Sequence, residues 1–122
     1  MLGNTLLSTI ENLQIQYQLT PYQQKKCNEF FGFLKKGDLI YVGQLKSKLG
    51  IDTKTSCDIL KTLKGQGFLR NIYEVHCNNC RHSIGIFLNS IAEFNEGTSC
   101  DFCNQNLNSL DDLIALYKVV SL

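Results

Sequence analysis

At 122 residues the chain has room for one ordinary domain, or for two small ones that share a core. Apolar residues make up 43% and charged residues 19%, which excludes a disordered polar tail, and no apolar run approaches the ~18 residues of a membrane-spanning helix. Net charge is only +1, and Met1-Leu2-Gly3-Asn4 lacks the basic flank and apolar stretch of a secretory signal, so a cytoplasmic protein is expected, and six cysteines in such a chain point toward metal and away from disulfides.

In chain order, residues 1–19 read as an N-terminal packing or dimerisation segment. Leu6, Leu7, Ile10 and Leu13 have helical spacing, whereas Ile15, Tyr17 and Leu19 alternate with glutamines like a strand, which predicts a short helix followed by an extended piece. Thr20, Pro21 and Gln23 then form a capping box with proline at the first helical position. The helix they open shows an apolar face at Cys27, Phe30, Phe31 and Leu34, with Gly37 as the expected stop. Asp38 to Val42 reads as a short strand or an extended link. Gly43–Gly50 reads as a two-turn helix with Leu45 and Leu49 inward. A third helix, Thr53 to Lys64, is capped by Asp52; Ser56, Cys57, Leu60 and Leu63 are expected inward, and Lys54, Thr55, Asp58, Lys61 and Thr62 outward. Gly65 and Gly67 end it, and Phe68 to Val75 is a β-type run.

Charge divides along this path. Residues 20–70 hold ten basic side chains against four acids, a net of +6, whereas residues 71–122 hold two against six, a net of −4. Opposite signs on adjacent segments suggest two lobes with different partners.

Cys77-Asn78-Asn79-Cys80 and Cys100-Asp101-Phe102-Cys103 form two CxxC pairs with 19 residues between them. A two-residue spacer lets the backbone curl so that both sulfurs reach one ion, and the intervening length suits a hairpin that brings the second pair back to the first. One structural Zn²⁺ on Cys77, Cys80, Cys100 and Cys103 is the expected cofactor. Four thiolates and one Zn²⁺ together add −2, which takes the C-terminal segment to about −6. A redox pair would need its CxxC at a helix N-terminus in a βαβ unit, and both pairs here interrupt β-type sequence. His76 and His82 flank the first pair and are assigned strand or supporting roles. Cys27 and Cys57 are read as buried small hydrophobes. Ser83 to Leu88 leaves the first pair as a strand, and Leu113 to Val120 returns as the closing element.

Three helices with a short strand after the first, then a glycine-bounded exit into a strand, resemble the winged-helix family across residues 20–76. Val42 to Ile51 resembles its second helix and turn, and Leu60 to Leu69 the end of its recognition helix and the start of its wing. With residues 77–122 as a four-cysteine ribbon, the expected class is α+β, a winged helix-turn-helix followed by a small zinc ribbon. The layout is similar to that of the alpha subunit of archaeal and eukaryotic transcription factor E, and to small winged-helix–ribbon modules of bacterial regulators and defence operons. In such knuckles a glycine often follows the second cysteine; Arg81 and Asn104 stand there in this chain.

The resemblance implies that the third helix enters the major groove. Lys46, Lys48, Lys54, Thr55, Lys61, Thr62, Lys64 and Arg70 are the candidate nucleic-acid contacts. The helix offers no Arg, Asn or Gln to read base edges, and Asp58 repels phosphate, so the expected DNA binding is weakly sequence-specific. The alternative is a non-enzymatic interaction subunit of a larger bacterial complex, such as a defence-system component, with the winged helix and the acidic ribbon as docking surfaces and a protein partner on the ribbon or the N-terminal segment. No catalytic triad or phosphate-binding glycine loop is present, so neither an enzyme nor a small-molecule substrate is expected.

Overall fold

The computed structural model describes residues 3–122; Met1 and Leu2 of the predicted N-terminal segment lie outside them. Four helices and a four-stranded antiparallel sheet follow in the order α1 (Asn4–Gln16), α2 (Pro21–Gly32), β1 (Leu39–Ile40), α3 (Val42–Leu49), α4 (Thr53–Gly65), β2 (Leu69–His76), β3 (Ser83–Leu88) and β4 (Leu113–Val119). No helix among the described residues is long and apolar enough to cross a membrane.

Two compact units emerge. One is the chain through Arg70 together with Tyr117–Leu122; the other is Asn71–Leu116. In the first, Leu6, Ile10 and Leu13 of α1 share one buried cluster with Cys27 and Phe31 of α2, Leu45 and Leu49 of α3, and Ile59, Leu60 and Leu63 of α4. The N-terminal stripe is thus covered within the chain. Thr9 Oγ1 also donates to Gln66 Oε1 at 2.6 Å, and Gln14 Nε2 to Asn28 Oδ1 at 2.8 Å.

Local chemistry accounts for the helix starts. Thr20 Oγ1 accepts from the Gln23 N–H at 3.1 Å while Gln23 Oε1 accepts from the Thr20 N–H at 3.0 Å, the reciprocal box its sequence predicts. Asp52 Oδ1 accepts from the Thr55 N–H at 2.7 Å, and the Thr55 hydrogen bonds hold the Asp52 carboxyl below its usual range. Gly50 closes α3 in the left-handed conformation at φ 67°, where a Cβ would be strained.

Three local expectations differ from the structure. Helix α1 continues through Ile15 to Gln16 instead of yielding to an extended piece; Ile15 is 74% exposed, so the apparent alternation marks no buried face. Helix α2 ends at Gly32, not Gly37. Residues Lys35 to Asp38 instead form a turn in which Asp38 Oδ2 accepts from the Lys35 N–H at 2.8 Å. Cys57 is only half-buried, because the inward stripe of α4 is Ser56, Ile59, Leu60 and Leu63, spaced by three and four residues.

The sheet order is β1-β4-β2-β3. Strand β4 pairs with β1 through Leu39 opposite Lys118 and Ile40 opposite Tyr117. The Val120 N–H donates to the Phe68 carbonyl at 3.0 Å and the His76 N–H to the Asp112 carbonyl at 2.9 Å, so β2 and β4 run antiparallel. The chain therefore leaves the first unit on β2 and returns to it on β4. Residues 113–119 are the closing strand expected, but their far end belongs to the helical unit. In Asn71–Leu116, β2 and β3 form a hairpin whose register shifts between Glu74 and His76, with Gly85 at φ 81° on the opposing strand. Removal of one half of the α2 cap tests this account: Thr20→Ala is expected to lower stability by about 1 kcal/mol, read from urea unfolding at fixed zinc.

Candidate metal centre

The β2–β3 hairpin carries the first cysteine pair at its tip, between His76 and Ser83, as its sequence position suggests. The second pair follows a 3-10 turn at Ile91–Glu93 and lies inside a loop closed by an isolated bridge between Ser99 and Asn106. The two loops are built alike. In the first, the Cys77 N–H donates to the His82 carbonyl and the Arg81 N–H to the Cys77 carbonyl, both at 2.9 Å. In the second, the Cys100 N–H donates to the Gln105 carbonyl and the Asn104 N–H to the Cys100 carbonyl, again both at 2.9 Å. The residue after the second cysteine is left-handed in each, Arg81 at φ 65° and Asn104 at φ 61°. These are the positions at which the resemblance leads one to look for glycine, and an arginine there carries a steric cost that asparagine bears more easily.

The four sulfurs converge. All lie within 4.8 Å of one another, with Cys77 Sγ 3.6 Å from Cys103 Sγ and Cys80 Sγ 3.5 Å from Cys100 Sγ. A tetrahedron with Zn–S bonds of ~2.3 Å has edges of about 3.8 Å, so this donor set suits Zn²⁺ in both chemistry and spacing. The four cysteines are close enough to hold a metal ion, and the arrangement is compatible with zinc. Cys77 and Cys100 are fully buried beside Val75 and Leu107, with Cys80 and Cys103 packed against that cluster and partly open.

Hydrogen bonds reach the sulfurs from side chains and backbone. Asn79 Nδ2 donates to Cys103 Sγ at 3.6 Å, the Phe102 N–H donates to Cys100 Sγ at 3.4 Å, and His82 Nδ1 lies 3.3 Å from Cys80 Sγ. The thiols are set unequally. Burial pushes Cys80 up to about 12, while the Gln105 backbone N–H, helped by Asn79, draws Cys103 down to about 7. His82 stacks on Phe102 with ring centroids 4.3 Å apart, joining the two loops. His82 thus has the supporting role expected, and His76 ends β2 half-buried.

Asp112 was not singled out by sequence reasoning, yet it ties this unit together. It is 4% exposed; Oδ1 accepts from the Asn78 N–H at 2.9 Å and Oδ2 from the Asn108 N–H at 2.8 Å. One carboxylate therefore fastens the first cysteine loop to the turn that precedes β4. Its only sequence signal is the spacing from Asn108, whose own side chain caps the Leu110 and Asp111 N–H groups.

The predicted nucleic-acid contacts are dispersed over the α3–α4 segment and the strand after it. Lys46, Lys48, Lys54, Lys61, Lys64 and Arg70 are exposed, and Thr55 and Thr62 half-exposed. Lys48 Nζ lies 3.6 Å from Glu29 Oε2 of α2, which partly neutralises it, and the Thr62 hydroxyl donates to the Asp58 carbonyl of its own helix. Comparison with protein-family models, curated proteins and solved structures finds no match to this chain.

Two outcomes test the centre. The chain as purified is expected to hold one zinc per molecule; chelation should abolish amide-exchange protection across Asn71–Leu116 first, with the buried helices of the other unit keeping theirs. Arg81→Gly should raise the stability of the zinc-loaded protein by about 0.5–1 kcal/mol, the relief of left-handed strain less the extra freedom of glycine when unfolded.

Proposed function

We propose that this chain is a winged-helix DNA-binding regulatory protein of weak sequence specificity, with a zinc ribbon carried in its wing and the zinc purely structural. The strand order supports the winged-helix reading: β4 lies between β1 and β2, where the third strand of such a fold belongs, and residues 77–112 take the place of the wing tip. Helices α3 and α4 pack together across the short turn at Gly50 to Asp52, a helix-turn-helix with α4 as the second helix.

The observation that carries the reading is the presentation of α4. Lys54, Lys61 and Lys64 stand exposed on it, and no ion pair engages them among the described residues. Lysines of this kind grip phosphate without reading bases. The first unit as a whole carries +6, with eleven basic residues against five acids, while Asn71–Leu116 carries −5. The zinc site supports no reaction in this reading. Four thiolates fill a tetrahedron and leave no position for a water.

A second reading, a docking subunit, draws on a different observation. Phe87 is 46% exposed, Ile91 50% and Phe102 62%, all on the acidic unit. Large apolar side chains left open in this way are the kind a protein partner covers.

Binding of the zinc-loaded chain to labelled duplex DNA between about 50 and 200 mM salt separates the two. Contacts by Lys46, Lys54, Lys61, Lys64 and Arg70 would give a slope of about −4.5 in log affinity against log salt. Lys54→Glu with Lys61→Glu removes two of these five contacts and should bring the slope to about −2.7 or shallower. Flat or absent binding overturns the DNA reading and leaves the docking subunit.

A further inference from the structure

A cavity of about 250 Å³ beside the first cysteine loop is lined by Asn78, Asn79, Gln105, Asn108, Asp111 and Asp112. All six belong to the acidic unit, and none is basic or apolar. We propose that this cavity is a binding site for a single arginine side chain, presented by a basic partner protein.

Each lining group has only part of its hydrogen-bonding capacity left to offer. Both oxygens of Asp112 are committed to backbone N–H groups. The Asn108 carbonyl accepts from Leu110 and Asp111, and its Nδ2 donates to Asp111 Oδ2 at 3.2 Å. Asn79 uses its Nδ2 on Cys103 Sγ, so its carbonyl oxygen is the end that remains. Among the described residues, no internal bond engages Asp111 Oδ1 or the Gln105 side chain. The free groups are thus one carboxylate oxygen and the amide carbonyls of Asn78, Asn79 and Gln105, with the Asn78 and Gln105 amide N–H groups beside them.

That inventory narrows the ligand. An anion would meet a carboxylate with no cation to offset it. A calcium ion needs six to eight oxygens, commonly from several carboxylates, and only one carboxylate here is free. Metabolite pockets are usually about 300–1,000 Å³ and mostly apolar; this one is smaller and lined by polar residues. A guanidinium fits what is left: it is cationic, brings five donors in a planar fork, and sheds water more readily than an ammonium. The net charge of −5 on the unit, more negative still with four thiolates on zinc, draws such a group in.

The test uses the zinc-loaded full chain and follows backbone amide NMR shifts during titration with the peptide acetyl-Gly-Arg-Gly-amide. Saturable shifts are expected at Asn78, Asn79, Gln105 and Asp111. Binding should weaken about tenfold in Asp111→Asn, the loss of one charge-assisted hydrogen bond, with a smaller loss in Gln105→Ala. Each variant is first shown to hold one zinc. The citrulline peptide, neutral and of the same shape, should not bind. Absence of saturable shifts, equal shifts with citrulline, or equal binding of the lysine peptide with shifts spread over the unit would each overturn the proposal. Neither variant touches α3 or α4, so salt-dependent DNA binding remains a separate result.

Discussion

Four sulfur atoms brought within van der Waals reach of one another call for a cation among them, and Asn71–Leu116 is organised around that demand. The unit has 46 residues, and its fully buried cluster consists of Val75, Leu107 and two of the cysteines themselves. Ile84, Leu88, Phe94 and Leu113 pack against it only partly buried, so apolar burial is a modest support for ordering the segment. What remains is local: paired backbone hydrogen bonds in each cysteine loop, the Asp112 clamp, and the His82–Phe102 stack. Each of these brings the sulfurs together, and a metal ion held at the point of convergence would supply the folding energy that the hydrophobic cluster lacks.

The helical unit is held in the opposite way. Its cluster draws on all four helices and on both strands that leave for the cysteine-bearing segment, through Leu69, Tyr117 and Val119. Apolar burial supports this part, and capping boxes set its boundaries. The two units thus respond to different stresses. Loss of metal strikes one, and loss of packing the other.

Much of this was legible in the residues. Thr20 with Gln23, Asp52 before α4, and Gly50 after α3 are local signals whose geometry is decided within four residues, and each stands where its chemistry requires. The two CxxC pairs were legible for the same reason, since each loop is built from its own backbone. What depended on distant partners was not. The strand at Leu113–Val119 was visible, but its place between β1 and β2 is a property of the sheet. Ile15 looked strand-like because alternation carries no record of which side will be covered. Cys57 reads as inward because a helical stripe read without its neighbours can be rotated by one residue, and Ile59 holds the core position instead. Asp112 gave almost no signal, because its two acceptor bonds are to groups four and thirty-four residues away.

The close approach of Asn71 to Leu116, where the amide of one donates to the carbonyl of the other at 3.3 Å, gives the cysteine-bearing segment the geometry of a cassette. It departs and returns at a single point on the sheet. Closing a loop there costs only a logarithmic penalty in its length, about 0.6 kcal/mol per doubling. A change in the length of the segment between these two residues therefore costs the closure of that point little.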